Sequence, residues 1–116
     1  AGADPLLLPL MGMGGAGCIT ATSNLVADSL ATVFRHHADP DRTAEIAAAQ
    51  ARINAVRDLS NSYTQIPAIK AMVAYRHGLA VWTRTRPPLV GLTSAELAQL
   101  KDRLTAIGAS VKDLAA

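Results

Sequence analysis

The sequence holds a single cysteine, Cys18. That excludes an internal disulfide framework and fits a reducing compartment, so the cytoplasm is the expected location. Aromatic residues are scarce: Phe34, Tyr63, Tyr75 and Trp82 are the whole set. Little is therefore available for stacking on nucleic-acid bases. Charge is thin, at 17% of residues, and the formal net charge is only +2. The basic residues are scattered, so there is no electrostatic footprint for nucleic acid or for an anionic membrane. The longest apolar stretch, Leu6–Ile19, carries Pro9 and four glycines and is too short and broken for a membrane span. No basic segment precedes it, so no signal peptide is expected. The sequence begins at Ala1 without an initiator Met, which reads as a cut inside a longer protein or as a processed Met.

What is present fits a packed core. The length of 116 residues, half of them apolar, allows one small domain. Alanine is heavily used, which favours close packing of helices on helices or on a sheet. Asp4-Pro5 suits a helix start, and Leu6–Met13 is predicted as a short helix weakened by Pro9. A glycine-rich segment, Gly12 to Gly17, ends it. Cys18–Thr22 is short, partly β-branched and bounded by Gly17 and Ser23-Asn24, and is predicted as a buried strand.

Everything after Asn24 reads as helix and connector. Val26, Leu30, Val33 and His37 share one helical face, with Phe34 beside it. Asp39-Pro40-Asp41 ends that helix and caps the next, whose stripe is Ile46, Ala49, Ile53 and Val56. A third helix is predicted over about Pro67–Arg76, with Ile66, Ile69, Met72 and Val73 apolar and Gly78 as its stop. Arg86-Pro87-Pro88-Leu89 is an extended connector. Thr93-Ser94-Ala95-Glu96 is a capping box, followed by the stripe Leu97, Leu100, Leu104, Ile107, with Gly108 as C-cap. One strand alone cannot satisfy its backbone groups, so its partners are expected on residues outside this sequence.

The chemistry-bearing residues form no complete catalytic set. Gly12, Gly14 and Gly17 match the dinucleotide fingerprint, but a helix precedes them and a strand follows, the reverse of what the mechanism needs. A tight helix-to-strand turn is the better reading. His36 and His37 with Asp39 and Asp41 could suggest metal. Adjacent helical residues point about 100° apart, however, so a solvated helix end is preferred. Cys18 reads as a small buried hydrophobe. Ser23, His77 and Asp28 make a triad on paper without a nucleophile elbow. Lys70 could form a Schiff base if buried, but it flanks an apolar stripe and reads as a snorkelling side chain. No metal and no cofactor is expected.

Several segments in order resemble one family. Gly2-Ala3-Asp4, then Gly14-Gly15-Ala16-Gly17-Cys18-Ile19-Thr20-Ala21-Thr22-Ser23-Asn24, and later Ile66-Pro67-Ala68-Ile69-Lys70-Ala71 and Arg86-Pro87-Pro88-Leu89 are similar to the dihydrodipicolinate synthase / N-acetylneuraminate lyase family of pyruvate-dependent class I aldolases. The resemblance runs from Gly2 to about Ile107. It implies an α/β fold: the C-terminal fragment of a TIM (β/α)8 barrel plus a C-terminal helical extension, mostly α within this chain. Residues 1–38 would be the end of the barrel (the loop after strand 7, helix 7, strand 8 and helix 8), and residues 39–116 the extension. Roughly 180–200 further residues would complete the barrel.

The implied function is that of a lyase acting on pyruvate or another 2-oxo acid through a Schiff base. The resemblance places the Schiff-base lysine and the proton-relay tyrosine upstream, so no catalytic residue is expected in this chain. Gly2 and Asp4 would lie in the loop near the distal part of the substrate, and Ile19 beside bound pyruvate. Lys70 matches a lysine of the extension, not the Schiff-base lysine. Pro5 stands where the sialic acid lyases have a glutamate, and Ala21 where they have a serine, which argues against sialic acid. The implied partners are the rest of the barrel and, as a homotetramer, further copies of the chain. The competing reading, from the four amphipathic stripes alone, is a stand-alone helical interaction module without catalytic activity.

Overall fold

A computed structural model describes residues 1–115. The chain divides into two compact units, Ala1–Arg57 and the part from Asp58 onward.

In the first unit a 3-10 turn, Asp4–Leu6, has Pro5 as its second residue and leads straight into α1 (Leu7–Gly12). Pro9 falls near the start of α1, where a missing N–H is tolerated. That N–H would have been aimed at the Pro5 carbonyl four residues back, and the Gln50 side-chain amide donates to this carbonyl instead, at 3.3 Å. The helix ends in a Schellman motif. Gly15 N–H donates to Leu10 O at 2.9 Å and Gly14 N–H to Met11 O at 3.0 Å. Gly14 has φ +84, a conformation that L side chains resist. The glycine-rich segment is thus a helix terminator.

Residues 15–20 then run without helix to α2 (Ser23–His36), which is kinked at Val26 and buries Val26, Leu30 and Val33. A 3-10 turn, Pro40–Arg42, is capped by Asp39, whose carboxylate accepts from Asp41 N–H at 3.0 Å. It opens α3 (Thr43–Asn61). The predicted stripe of α3, Ile46, Ala49, Ile53 and Val56, is buried throughout.

The strand expected at Cys18–Thr22 does not form: among the described residues there is no β-strand. A ladder needs a neighbour along its length, and here one rung exists. Ala1 donates from its amino group to Gly17 O at 2.6 Å, and Ile19 N–H donates to Ala1 O at 3.0 Å. Bonds to residues on either side of Cys18 are the pattern of a parallel pair. Beyond Thr20 the chain turns, and α2 begins at Ser23, ahead of the expected start after Asn24.

In the second unit α4 (Gln65–His77) is the centre. The sequence predicts one apolar stripe, yet Pro67, Ala68, Ile69 and every residue from Ala71 to Tyr75 are buried, while Ile66 is half-exposed. The helix is covered on several sides. A 3-10 turn, Ala80–Thr83, and α5 (Ser94–Ala106) pack against it. The C-terminal segment lies along its end, where Lys112 N–H donates to Tyr75 O at 2.8 Å and Leu79 pairs with Ala115 in a parallel bridge. Gly78 stops α4 in the left-handed conformation at φ +75. The capping box at Thr93 and Glu96 is present with both reciprocal bonds, and Gly108 closes α5 at φ +72.

Two contacts lock α5. Tyr75 Oη donates to Leu97 O at 2.9 Å, and the Arg103 guanidinium lies 5.6 Å from the centre of the Tyr63 ring. Leu100 and Leu104 insert beneath, fully buried. Leu100→Ala is expected to destabilise the protein by roughly 2–5 kcal/mol in urea unfolding, because a fully enclosed side chain leaves a cavity. The half-buried Leu97 should cost clearly less on the same substitution. Equal costs would contradict this packing.

Candidate functional site

The densest polar arrangement in the first unit is built around Asp4. Its side chain is completely buried, at the head of the 3-10 turn that leads into α1. One carboxylate oxygen accepts from the Thr20 hydroxyl and the other from the Thr22 hydroxyl. Thr22 is also fully buried and is the N-cap residue of α2, but its hydroxyl makes no cap bond because it is turned to Asp4. Neighbouring bonds finish the turn: Ser23 Oγ donates to Thr20 O at 2.5 Å, and Asn24 Nδ2 to Ala21 O at 2.9 Å.

The bond to Asp4 draws the Thr20 side chain inward, so Ile19, its neighbour in the extended segment, faces the other side, and the chain then turns through Ala21 and Thr22. Ile19 accordingly points outward and is 95% exposed, and Ala21 is exposed as well. Cys18 shares the side of Thr20. Its thiol is pushed up by burial and then by the Asp4 charge, against the opposing N-terminal ammonium. It therefore stays protonated near neutral pH and is a poor nucleophile.

Ile19 stands at the margin of an open, mainly apolar groove of about 810 Å³, also lined by Leu7, Cys18, Leu30, Phe34 and Arg35. Phe34 is half-exposed there. The three residues expected to contact substrate thus have distinct placements. Ile19 is presented outward, Gly2 is exposed with open space around its Cα, and the Asp4 side chain is enclosed. Sequence reasoning missed Thr20 and Thr22. The available signal was a pair of hydroxyls two residues apart in an apolar segment.

The other sequence candidates are not assembled into sites. Ser23 has its hydroxyl engaged with a backbone carbonyl, and His37 Nδ1 lies 3.0 Å from Phe34 O. Among the described residues no group of three or more His, Cys, Asp or Glu side chains is placed to hold a metal ion. Lys70 is half-buried on α4. Among the described residues no helix is long and apolar enough to cross a membrane.

Comparison with known proteins is consistent along the chain. The model of the dihydrodipicolinate synthetase family matches residues 1–107. An uncharacterised DapA-like lyase of Chloroflexus aurantiacus is 39% identical over 101 residues, 86% of this chain and 32% of the relative. A 4-hydroxy-tetrahydrodipicolinate synthase of Synechocystis is 33% identical over 106 residues, 90% of this chain and 34% of the relative. The chain thus spans about a third of the length of the curated relatives it matches. Among solved structures, YagE, an Escherichia coli K12 prophage protein of the dihydrodipicolinic acid synthase family in complex with pyruvate, superposes with a TM-score of 0.75. It shares 25% identity, and the match covers 91% of this chain and 35% of that one.

The buried carboxyl has a pH signature. Burial raises Asp4 above the ordinary aspartate value of 3.8, with the Arg57 charge opposing. The fold therefore favours the neutral form more than the unfolded chain does. The contribution of Asp4 to stability is fully present below the unfolded value and is lost as pH rises through the folded one. In urea unfolding, the stability advantage of the wild type over Asp4→Asn is expected to shrink as pH rises from about 3.5 toward neutrality. An advantage that grows over that range would contradict the burial of this group.

Proposed function

The chain belongs to the dihydrodipicolinate synthetase family, and on that footing we propose that it is the C-terminal part of a lyase acting on pyruvate or another 2-oxo acid through a Schiff base. The observation that carries the placement is the rung at Cys18. An extended segment, a helix, a second extended segment parallel to the first and a further helix follow one another within 36 residues. That order is the repeat of a (β/α) barrel, whose parallel strands require a crossover of this kind. Residues 1–38 would be the end of the barrel and residues 39–116 its helical extension. The family match runs through the helices of both units, which leaves no separate helical module to explain.

The chemistry would lie in the remainder of the parent protein. There a lysine amine condenses with the ketone of the 2-oxo acid and releases water. The resulting iminium receives the electron pair of the C–C bond that breaks, or supplies the enamine for the bond that forms. This chain would contribute the rim through Gly2 and Ile19, with the enclosed Asp4 in the same loop as Gly2. The pyruvate bound in the YagE structure supports that substrate class. Exposed Val81 and Trp82 in the extension suit contacts between subunits of a homotetramer. The free thiol of Cys18 suits the cytoplasm.

Borohydride reduction in the presence of pyruvate, followed by peptide mass spectrometry of the parent protein, tests the reading. One reduced adduct is expected, on a lysine outside these residues, while the 116-residue chain by itself acquires none. An adduct on Lys70 would overturn the assignment of the catalytic lysine. Absence of any adduct with every 2-oxo acid tried would overturn the lyase reading.

A further inference from the structure

We propose that Asp4 is a positioning residue of the 2-oxo-acid site, acting through Thr20 and Thr22 to hold Ile19 toward the substrate; this rests on the lyase reading above.

Three observations carry it. The Asp4 side chain is wholly enclosed, so it has no open path to a ligand from its own unit. Both carboxylate oxygens are engaged, one by each hydroxyl. A carboxylate that holds the Thr20 hydroxyl inward fixes the rotation of the extended residues just before it, and the second bond, to Thr22, pins the turn that follows. The residue set by that rotation is Ile19. It is 95% exposed although large and apolar, beside the groove that also exposes Phe34.

A free chain would be expected to fold such a residue inward. Here the inward side is already occupied by the threonine hydroxyls and the acid that binds them. The clamp is braced from behind, since the Pro5 carbonyl adjoining Asp4 accepts from Gln50 of α3. The clamp therefore links the end of one extended segment to the start of α2 and determines which side chains reach the substrate side. The expected consequence is in substrate binding more than in turnover, because the reacting lysine lies elsewhere in the parent.

The test uses the parent protein and steady-state kinetics with pyruvate. Asp4→Ala and the double variant Thr20→Val/Thr22→Val should each raise KM for pyruvate by about tenfold, with kcat changing less than about threefold. Combining either with Ile19→Ala should add little to the effect of Ile19→Ala alone, since all act through one side chain. Asp4→Asn, which keeps one acceptor oxygen, should recover part of the loss.

If Asp4→Ala does not fold, the threonine variants and Asp4→Asn carry the test. A raised KM in Asp4→Ala with an unchanged KM in the threonine variants would mean direct substrate contact by Asp4, and would overturn the proposal. So would variants that lose thermal stability but keep the wild-type KM. A wild-type parent that traps no 2-oxo acid under borohydride would overturn the lyase reading. A wild type that traps it, with variants of unchanged KM, would overturn the clamp alone.

Discussion

A carboxyl group taken out of water needs donors, and Asp4 finds them sixteen and eighteen residues along the chain, in Thr20 and Thr22. Much of the first unit follows from that requirement. The acid sits at the head of the turn that starts α1, and the threonines lie at the entrance to α2. Satisfying both oxygens therefore brings the two helix starts together. The intervening residues must double back, which they do through the glycine-terminated end of α1. The single parallel rung at Cys18 then lies where the returning chain passes Ala1. Removing one partner of such a buried set costs more than a surface bond, because the remaining oxygen is left without a donor.

This arrangement also explains why an apolar side chain stands in the open. The pleat of an extended segment allots alternate residues to opposite sides. With the Thr20 hydroxyl on the inner side, its neighbour Ile19 has only the outer one. Ile19 and Phe34 are both exposed at the same groove. The chain covers only about a third of its relatives.

Local signals were readable in the sequence and distant ones were not. The stripe Ile46, Ala49, Ile53 and Val56, the capping box at Thr93 and the glycine stops at Gly78 and Gly108 all depend on residues close to one another in the sequence. Each was predicted from spacing alone. The strand at Cys18–Thr22 had the right composition. A strand is a relation between segments, however, and one rung does not make a ladder. For α4 the sequence marked a stripe, but alanines on the other faces are neutral to pattern and become core when neighbours close over them. Asp4 was legible as a family position and not as a buried clamp. Its partners are far along the chain, and threonine in a β-like segment is ordinary. The Gln50 amide that replaces the donor missing at Pro9 was hidden for the same reason of distance.

Amide hydrogen exchange tests the central claim most directly. In the wild type, the Ile19 and Leu25 amides, which donate to Ala1 O and Thr22 O, are expected to be protected. In Asp4→Asn both should exchange at least about tenfold faster, while amides in the middle of α3 keep their rates. Unchanged protection at Ile19 and Leu25 would show that the segment holds its shape without the carboxylate, and would contradict the account.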